Sequence, residues 1–143
     1  MTFYLSDTNV MWRRFVPAEA SHLRVKTALD ALILRGDTVY VTPQNLVEFQ
    51  SLATRPTDVN GLGFTSQQAN AKAKEIEAFF PLLPDIPEIY PHWRNLMEKY
   101  EVEGRQVHDA RLVAVMLAHN ITHLLTMNAK HFQRFTEITI IEP

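Results

Sequence analysis

Three acidic residues, Asp7, Glu48 and Asp109, stand where a fold of alternating strands and helices would bring carboxylates together. Clustered carboxylates repel one another and cost stability unless a cation neutralises them. The chain contains no cysteine, which excludes disulfides, thiol catalysis and thiolate metal sites. His108, His119, His123 and His131 lack HxH or HExxH spacing, which argues against zinc. Oxygen-only ligands favour a hard ion, Mg²⁺ or Mn²⁺, that keeps several waters and also binds phosphate. The chemistry such a site performs is phosphodiester hydrolysis, with activated water as nucleophile and stabilised charge on the leaving oxygen.

Each residue also has a plainer explanation. Asp109 near a helix start could cap free backbone N–H groups. Asp7 after a strand could be a turn residue, with Asn9 continuing the turn. Glu48, between Val47 and Phe49 and below Leu52, could be solvated on the flank of an apolar face. Asn128, within Thr126-Met127-Asn128-Ala129, reads as a turn.

The case for a cluster rests on the elements that position these residues. Phe3-Tyr4-Leu5 is a short apolar run ended by Ser6 and Asp7, a buried strand. Pro17 is expected to open a helix carrying Leu23, Ala28, Leu29, Leu32 and Ile33 and stopping at Gly36. Thr38 to Val41 reads as a second strand, and Pro43 as the start of a helix with Leu46, Phe49 and Ala53 inward. Arg55 to Phe64 is a loop, and Thr65 caps a helix to about Phe80. Pro81, Pro84 and Pro87 precede a helix through Trp93, Leu96, Met97 and Tyr100. A largely apolar helix follows from about His108 to His119. Ile121 to Thr126 is a strand, His131-Phe132 a short turn or helix, and Ile138 to Ile141 a terminal strand.

Strands separated by helices predict a three-layer α/β/α sandwich around a mainly parallel sheet, one domain over residues 1–143. Ligands of open parallel sheets bind beyond the carboxyl ends of the strands. Asp7 lies just past the first strand, and Glu48 in the second turn of the helix after the second. A helix of about twelve residues measures ~18 Å and the six-residue strand after it ~20 Å. The chain turns back at Asn120, so Asp109 is expected level with Thr126-Met127-Asn128.

Composition sets the remaining bounds. Hydrophobic residues make up 46% and charged residues 21%, as in ordinary globular proteins. The N-terminal apolar stretch is too short for a signal peptide, and no segment approaches the ~20 apolar residues of a membrane span. A cytoplasmic protein is expected. The formal net charge of −2 does not announce a nucleic-acid binder, but the charge is unevenly spread. Residues 9–35 carry Arg13, Arg14, Arg24, Lys26 and Arg35 against Glu19 and Asp30. Residues 104–136 carry Arg105, Arg111, Lys130 and Arg134 against Asp109. If these segments share a face, one positive side meets a polyanion; otherwise they form a mixed solvated surface.

The motifs LSDTNV, NLVEF and VHDARLVAVMLAHNITHLLTMNAKHF, closed by ITII, resemble PIN-domain proteins, specifically the VapC-like toxins of bacterial toxin–antitoxin pairs. The resemblance covers nearly the whole chain. It implies an endoribonuclease in which Asp7, Glu48 and Asp109 hold Mg²⁺ or Mn²⁺. Asn128 falls where many members have a fourth Asp; an amide adds no charge and cannot act as a base, which favours one firmly held ion over two. Thr8 and Thr126 are expected to orient the carboxylates by hydrogen bonds. The resemblance further implies frequent homodimerisation and a cognate antitoxin covering the cleft, with Trp93, Met97 or Tyr100 in the core or at a dimer contact.

For RNA phosphate contact the candidates are Arg13, Arg14, Arg111, Lys130 and Arg134, although Arg111 could instead pair with a carboxylate inside the fold. One alternative is a non-catalytic PIN-like RNA- or protein-binding module. Another is a phosphatase or receiver domain, but the second Asp that dehalogenase-type phosphatases need is Asn9 here, and a receiver's acidic pair and late lysine are not evident.

Overall fold

A computed structural model describes all of residues 1–143. Four strands, β1 (Phe3–Ser6), β2 (Thr38–Tyr40), β3 (His123–Leu125) and β4 (Thr139–Ile141), form one sheet in the order β2-β1-β3-β4. Every neighbouring pair is parallel, with Leu5 opposite Tyr40 on one side and Leu124 on the other. Pro81–Leu83 extends the β2 edge through Val41, whose backbone exchanges bonds with Pro81 and Leu83.

Six helices cover the sheet: α1 (Thr8–Met11), α2 (His22–Leu34), α3 (Pro43–Thr54), α4 (Ser66–Phe79), α5 (Ile89–Tyr100) and α6 (Gln106–Ala118). Strand side chains alternate between two cores, as the pleat demands. Tyr4, Val39 and Leu125 join Val25, Leu29, Phe49, Ala53 and Ile76 of α2, α3 and α4 on one face. Leu5 and Leu124 join Ile89, Leu96 and Leu112 to Met116 of α5 and α6 on the other. The result is the α/β/α sandwich expected from sequence, and no helix is long and apolar enough to cross a membrane. Trp93, Met97 and Tyr100 pack half-buried against the second core.

Local sequence explains most boundaries. Thr42 and Thr65 each accept from the backbone N–H three residues on and are capped in return by Asn45 and Gln68, so α3 and α4 begin there. Several boundaries differ from expectation: β3 spans only His123–Leu125 rather than Ile121 to Thr126, and two helix starts move. The helix expected from Pro17 starts only at His22, because residues 16–22 turn through bonds from Glu19 N–H to Val16 and from His22 N–H to Glu19. Its buried stripe is Val25, Leu29 and Leu32, spaced by four and three, which leaves Leu23 and Ile33 exposed. Helix α6 starts at Gln106, two residues earlier than expected, which moves Asp109 inside the first turn rather than to its cap.

Candidate active site

The chain runs from β1 outward to β2 and then back across to β3, so the switch point of the sheet lies between β1 and β3. A crevice opens beyond the strand ends at such a point. Asp7 caps the short helix α1 at that edge, accepting from Thr8 N–H at 2.8 Å through Oδ1. Its Oδ2 accepts from the Thr126 hydroxyl at 2.7 Å, across the switch point from β3. Asp7 is therefore both a helix cap and a buried carboxylate held from two strands.

Glu48 comes from the first helical layer. Its Oε1 accepts from the Thr8 hydroxyl at 2.7 Å, and Thr8 Oγ1 in turn accepts from Asn45 Nδ2 at 3.0 Å. Asn45 is fully buried, and its Oδ1 is occupied by Thr42 N–H at 2.8 Å. That bond fixes the amide's orientation, so Nδ2 faces Thr8 and the threonine proton is left for Glu48. Gln44 ties the two outer layers together over the strand ends: it donates to His108 C=O at 2.8 Å and reaches Glu48 Oε2 at 3.4 Å.

Asp109 comes from the opposite layer, α6, with its carboxylate 3.6 Å from His131 Nδ1. Burial, followed by the negative charges of Asp7 and, more weakly, Glu48, raises its pKa to about 6, against the pull of His131 and His108. Asp7 is also pushed up, chiefly by burial, despite its bonds to Thr126 and Thr8. One acid from the sheet edge and one from each covering layer thus share a single electrostatic field. They do not share a coordination sphere: no three His, Asp or Glu side chains converge tightly enough to hold an ion between them.

A groove of about 420 Å³ runs beside the acids, lined by Pro43, Gln44, Val47, Glu48, Asp85, His108 and Arg111. With this geometry established, the comparisons decide the family. The profile of the PIN domain matches residues 4–138. This chain belongs to the PIN-domain family.

Solved structures agree on the PIN fold. VapBC2 from Rickettsia felis, bound to a promoter DNA fragment, matches at a TM-score of 0.73 and 16% identity, over 99% of each chain. VapBC-1 from nontypeable Haemophilus influenzae matches at 0.70 and 17%, over 99% of this chain and 98% of that one. VapC20 of Mycobacterium tuberculosis, a Sarcin-Ricin loop cleaving toxin, matches at 0.65 and 18%, over 92% and 95%. No curated protein matches the chain at a significant level.

The other candidates in this PIN domain are placed as follows. Asn128 is exposed; its N–H donates to Thr126 Oγ1 at 3.0 Å, and its side chain bonds to none of the acids. Arg13 stacks on Trp12, bonds Asn9 C=O and pairs with Glu19 at 3.5 Å. Arg14 lies 3.8 Å from the Phe79 ring centre and pairs with Asp30 at 3.3 Å. Both are anchored in the first layer by their own neighbours. Arg111 sits on the groove, donating to Gln44 Oε1 at 2.9 Å with Asp85 at 3.5 Å. Lys130 is exposed beside Asn128, and Arg134 is exposed against Gln106.

Sequence reading missed Gln44, Asn45, Asn9 and His131. Asn9 accepts from Met127 N–H at 3.3 Å, pinning the loop after β3 to the start of α1. The one usable signal was Asn45 at the third position of a helix begun by Thr42-Pro43, a capping-box position.

Proposed function

We propose that this PIN domain is a metal-dependent endoribonuclease and the toxin of a toxin–antitoxin pair, with residues 1–143 forming one nuclease domain. The observation that carries the reading is the placement of Asp7, Glu48 and Asp109 around the switch point, with Asp7 and Glu48 held there by the Thr126 and Thr8 hydroxyls, and with burial first and the charges of Asp7 and Glu48 second raising the Asp109 pKa to about 6. Asp7, Glu48 and Asp109 would hold Mg²⁺ or Mn²⁺, since the donor set is oxygen-only and anionic. A bound ion would lower the pKa of water and neutralise phosphate charge.

The chain's own residues prepare that site. Thr126 and Thr8 hold Asp7 and Glu48 with neutral donors, which orient the carboxylates without cancelling their charge. Asp109, whose carboxylate lies 3.6 Å from His131 Nδ1, would complete the set from the opposite layer. Arg111, on the groove wall, is placed to take an RNA phosphate, and its exposed pair with Asp85 is too weak to prevent it. Lys130 and Arg134 would contact the backbone farther along, and Arg13 and Arg14 only if their present partners yield. Asn128, an exposed amide, favours one firmly held ion.

The test is cleavage of single-stranded RNA by purified protein with Mg²⁺, with EDTA, and with Asp109→Asn. Activity that survives both chelation and substitution defeats the mechanism. The similarity to toxin–antitoxin complexes such as VapBC2 and VapBC-1 supports a partner antitoxin; a basic group presented to the acids and a homodimeric toxin are part of the same proposal. A cytoplasmic location accords with that role. The non-catalytic alternative draws on the ungathered carboxylates; calorimetric titration with Mg²⁺ separates the two, since a binding module has no need of the ion.

A further inference from the structure

Next to the acidic groove lies a second cavity of about 400 Å³, between the start of α5 and the start of α6. Its walls are Ile86, Pro87, Ile89, Tyr90, Trp93 and Val107, completed by His108 and Arg111. The last two residues also line the groove beside Glu48, so the two cavities adjoin along a shared wall. The Trp93 indole is locked by its N–H to Val107 C=O at 2.9 Å, and the Tyr90 ring stands 6.1 Å from it at 37°. Tyr90 is 61% exposed, a large aromatic surface left to solvent. Arg94 packs over both rings, 5.7 Å from Tyr90 and 4.8 Å from Trp93.

We infer that this cavity is a nucleobase subsite, in which a base of single-stranded RNA stacks on Tyr90 and Trp93 while its phosphate meets Arg111. The inference rests on the ribonuclease reading and extends it to the residues that grip substrate. Three features select a nucleotide over a purely apolar occupant. Two aromatic side chains, one of them fixed by the Trp93 N–H bond to Val107, supply the π-faces on which bases stack. The only positive side chain in the lining, Arg111, stands where the cavity joins the groove. The cavity adjoins the groove that Glu48 lines, so a chain seated by one base would pass along that carboxylate. Base–aromatic stacking tolerates any base, so the subsite adds affinity for unpaired RNA more than sequence preference.

The test measures binding of a fluorescent mixed-sequence RNA of about 12 nucleotides, within the range such surfaces cover, to the full chain carrying Asp109→Asn. Adding Tyr90→Ala is expected to weaken binding about tenfold, the scale of one lost stack, whereas Tyr90→Phe keeps the parent affinity. Tyr90 is exposed, so its truncation does not threaten folding, and thermal melts of both variants check this. In the Asp109 background, an abasic strand of the same length binds equally with and without Tyr90→Ala. With Asp109 restored, Tyr90→Ala raises KM for RNA and leaves kcat near wild type. Unchanged RNA affinity in Tyr90→Ala, while the wild type cleaves RNA normally, overturns the subsite alone. So does a variant whose oligomeric state changes but whose RNA affinity does not, which would assign the surface to a second copy. Failure of the wild type to bind or cleave RNA overturns the ribonuclease reading and the subsite with it.

Discussion

Replacing Asp109 by Asn should abolish nuclease activity and at the same time stabilise the metal-free protein. The Asp109 carboxyl has its pKa raised from the usual 3.8 to about 6, by burial first and by Asp7 second. Between those values the folded state holds the proton more tightly than the unfolded chain. Stability is therefore greatest at low pH and falls as pH rises from 3.8 through about 6. Fully expressed, the shift corresponds to about 3 kcal/mol at ~1.4 kcal/mol per pKa unit. Asp109 is only partly buried, and solvent screening reduces this to about 1–2 kcal/mol. An amide of the same shape removes that penalty.

Urea denaturation with EDTA, at about pH 7.5 and about pH 4.5, checks the reasoning. At the higher pH Asp109→Asn should be more stable by about 1–2 kcal/mol, or about 3–6 °C in Tm. At the lower pH the gap should shrink to about a third, because the folded wild type is then largely protonated at this residue while the unfolded chain, though mostly ionised, lies less than one pH unit above its own pKa. Mg²⁺ at tenfold its Kd should restore about 1.4 kcal/mol to the wild type and little to the variant. A variant less stable than wild type at the higher pH, or a gap that does not change with pH, would refute the account of a strained carboxylate.

Further expectations follow from the hydrogen-bond scaffold. Thr126→Val leaves Asp7 Oδ2 and Asn128 N–H unpaired and should cost about 1–3 kcal/mol in denaturant titrations, with a loss of RNA cleavage. Asn45→Asp keeps the shape but replaces the donor to Thr8 with an acceptor and adds charge near Glu48. It should lower both kcat and stability, the latter by about 1–3 kcal/mol, whereas Gln50→Asp on the exposed side of α3 should change neither by more than ~0.5 kcal/mol. Phe49→Ala, in the first core and fully buried, should cost about 3–5 kcal/mol and lower the Tm without a specific change in KM.

The layers and the parallel sheet were legible because short apolar runs alternated with helical spacing, and a parallel sheet buried on both faces demands that pattern; the strand order was not. The placement of Asp7, Glu48 and Asp109 near one end of the sheet follows from their nearness to strand ends and a helix start, although the three do not close into an ion-holding cluster. What sequence could not supply was the hydrogen bonding between them. Asp7 and Thr126 are 119 positions apart and Thr8 and Asn45 are 37 apart, and no local propensity records such a pairing. The late start of α2 was missed for a related reason. Pro17 suits a first helical turn, but tertiary packing sets the buried stripe at Val25, Leu29 and Leu32, and the chain before His22 turns instead. The basic residues misled most as a group, because Arg13 and Arg14 lie in a positive segment yet are claimed by Glu19, Asp30 and aromatic rings nearby.

The chemistry of the scaffold says something about what the site is for. Every group that holds Asp7 and Glu48 is neutral: two threonine hydroxyls, a backbone N–H and the amide of Gln44, with the Asn45 amide behind Thr8. A purely structural cluster would be better served by an arginine or lysine, which orients a carboxylate and cancels its charge at once. That arrangement exists elsewhere in this chain, where Arg35 holds the buried Asp37 at 2.6 Å. At the switch point the only cationic candidate in contact is His131, on Asp109 alone. The carboxylates are thus fixed in direction while their mutual repulsion is left standing, to be relieved only from outside. On the proposed mechanism a divalent ion would relieve it, and a basic side chain from a partner would relieve it by the same electrostatics, so the two should compete for one place.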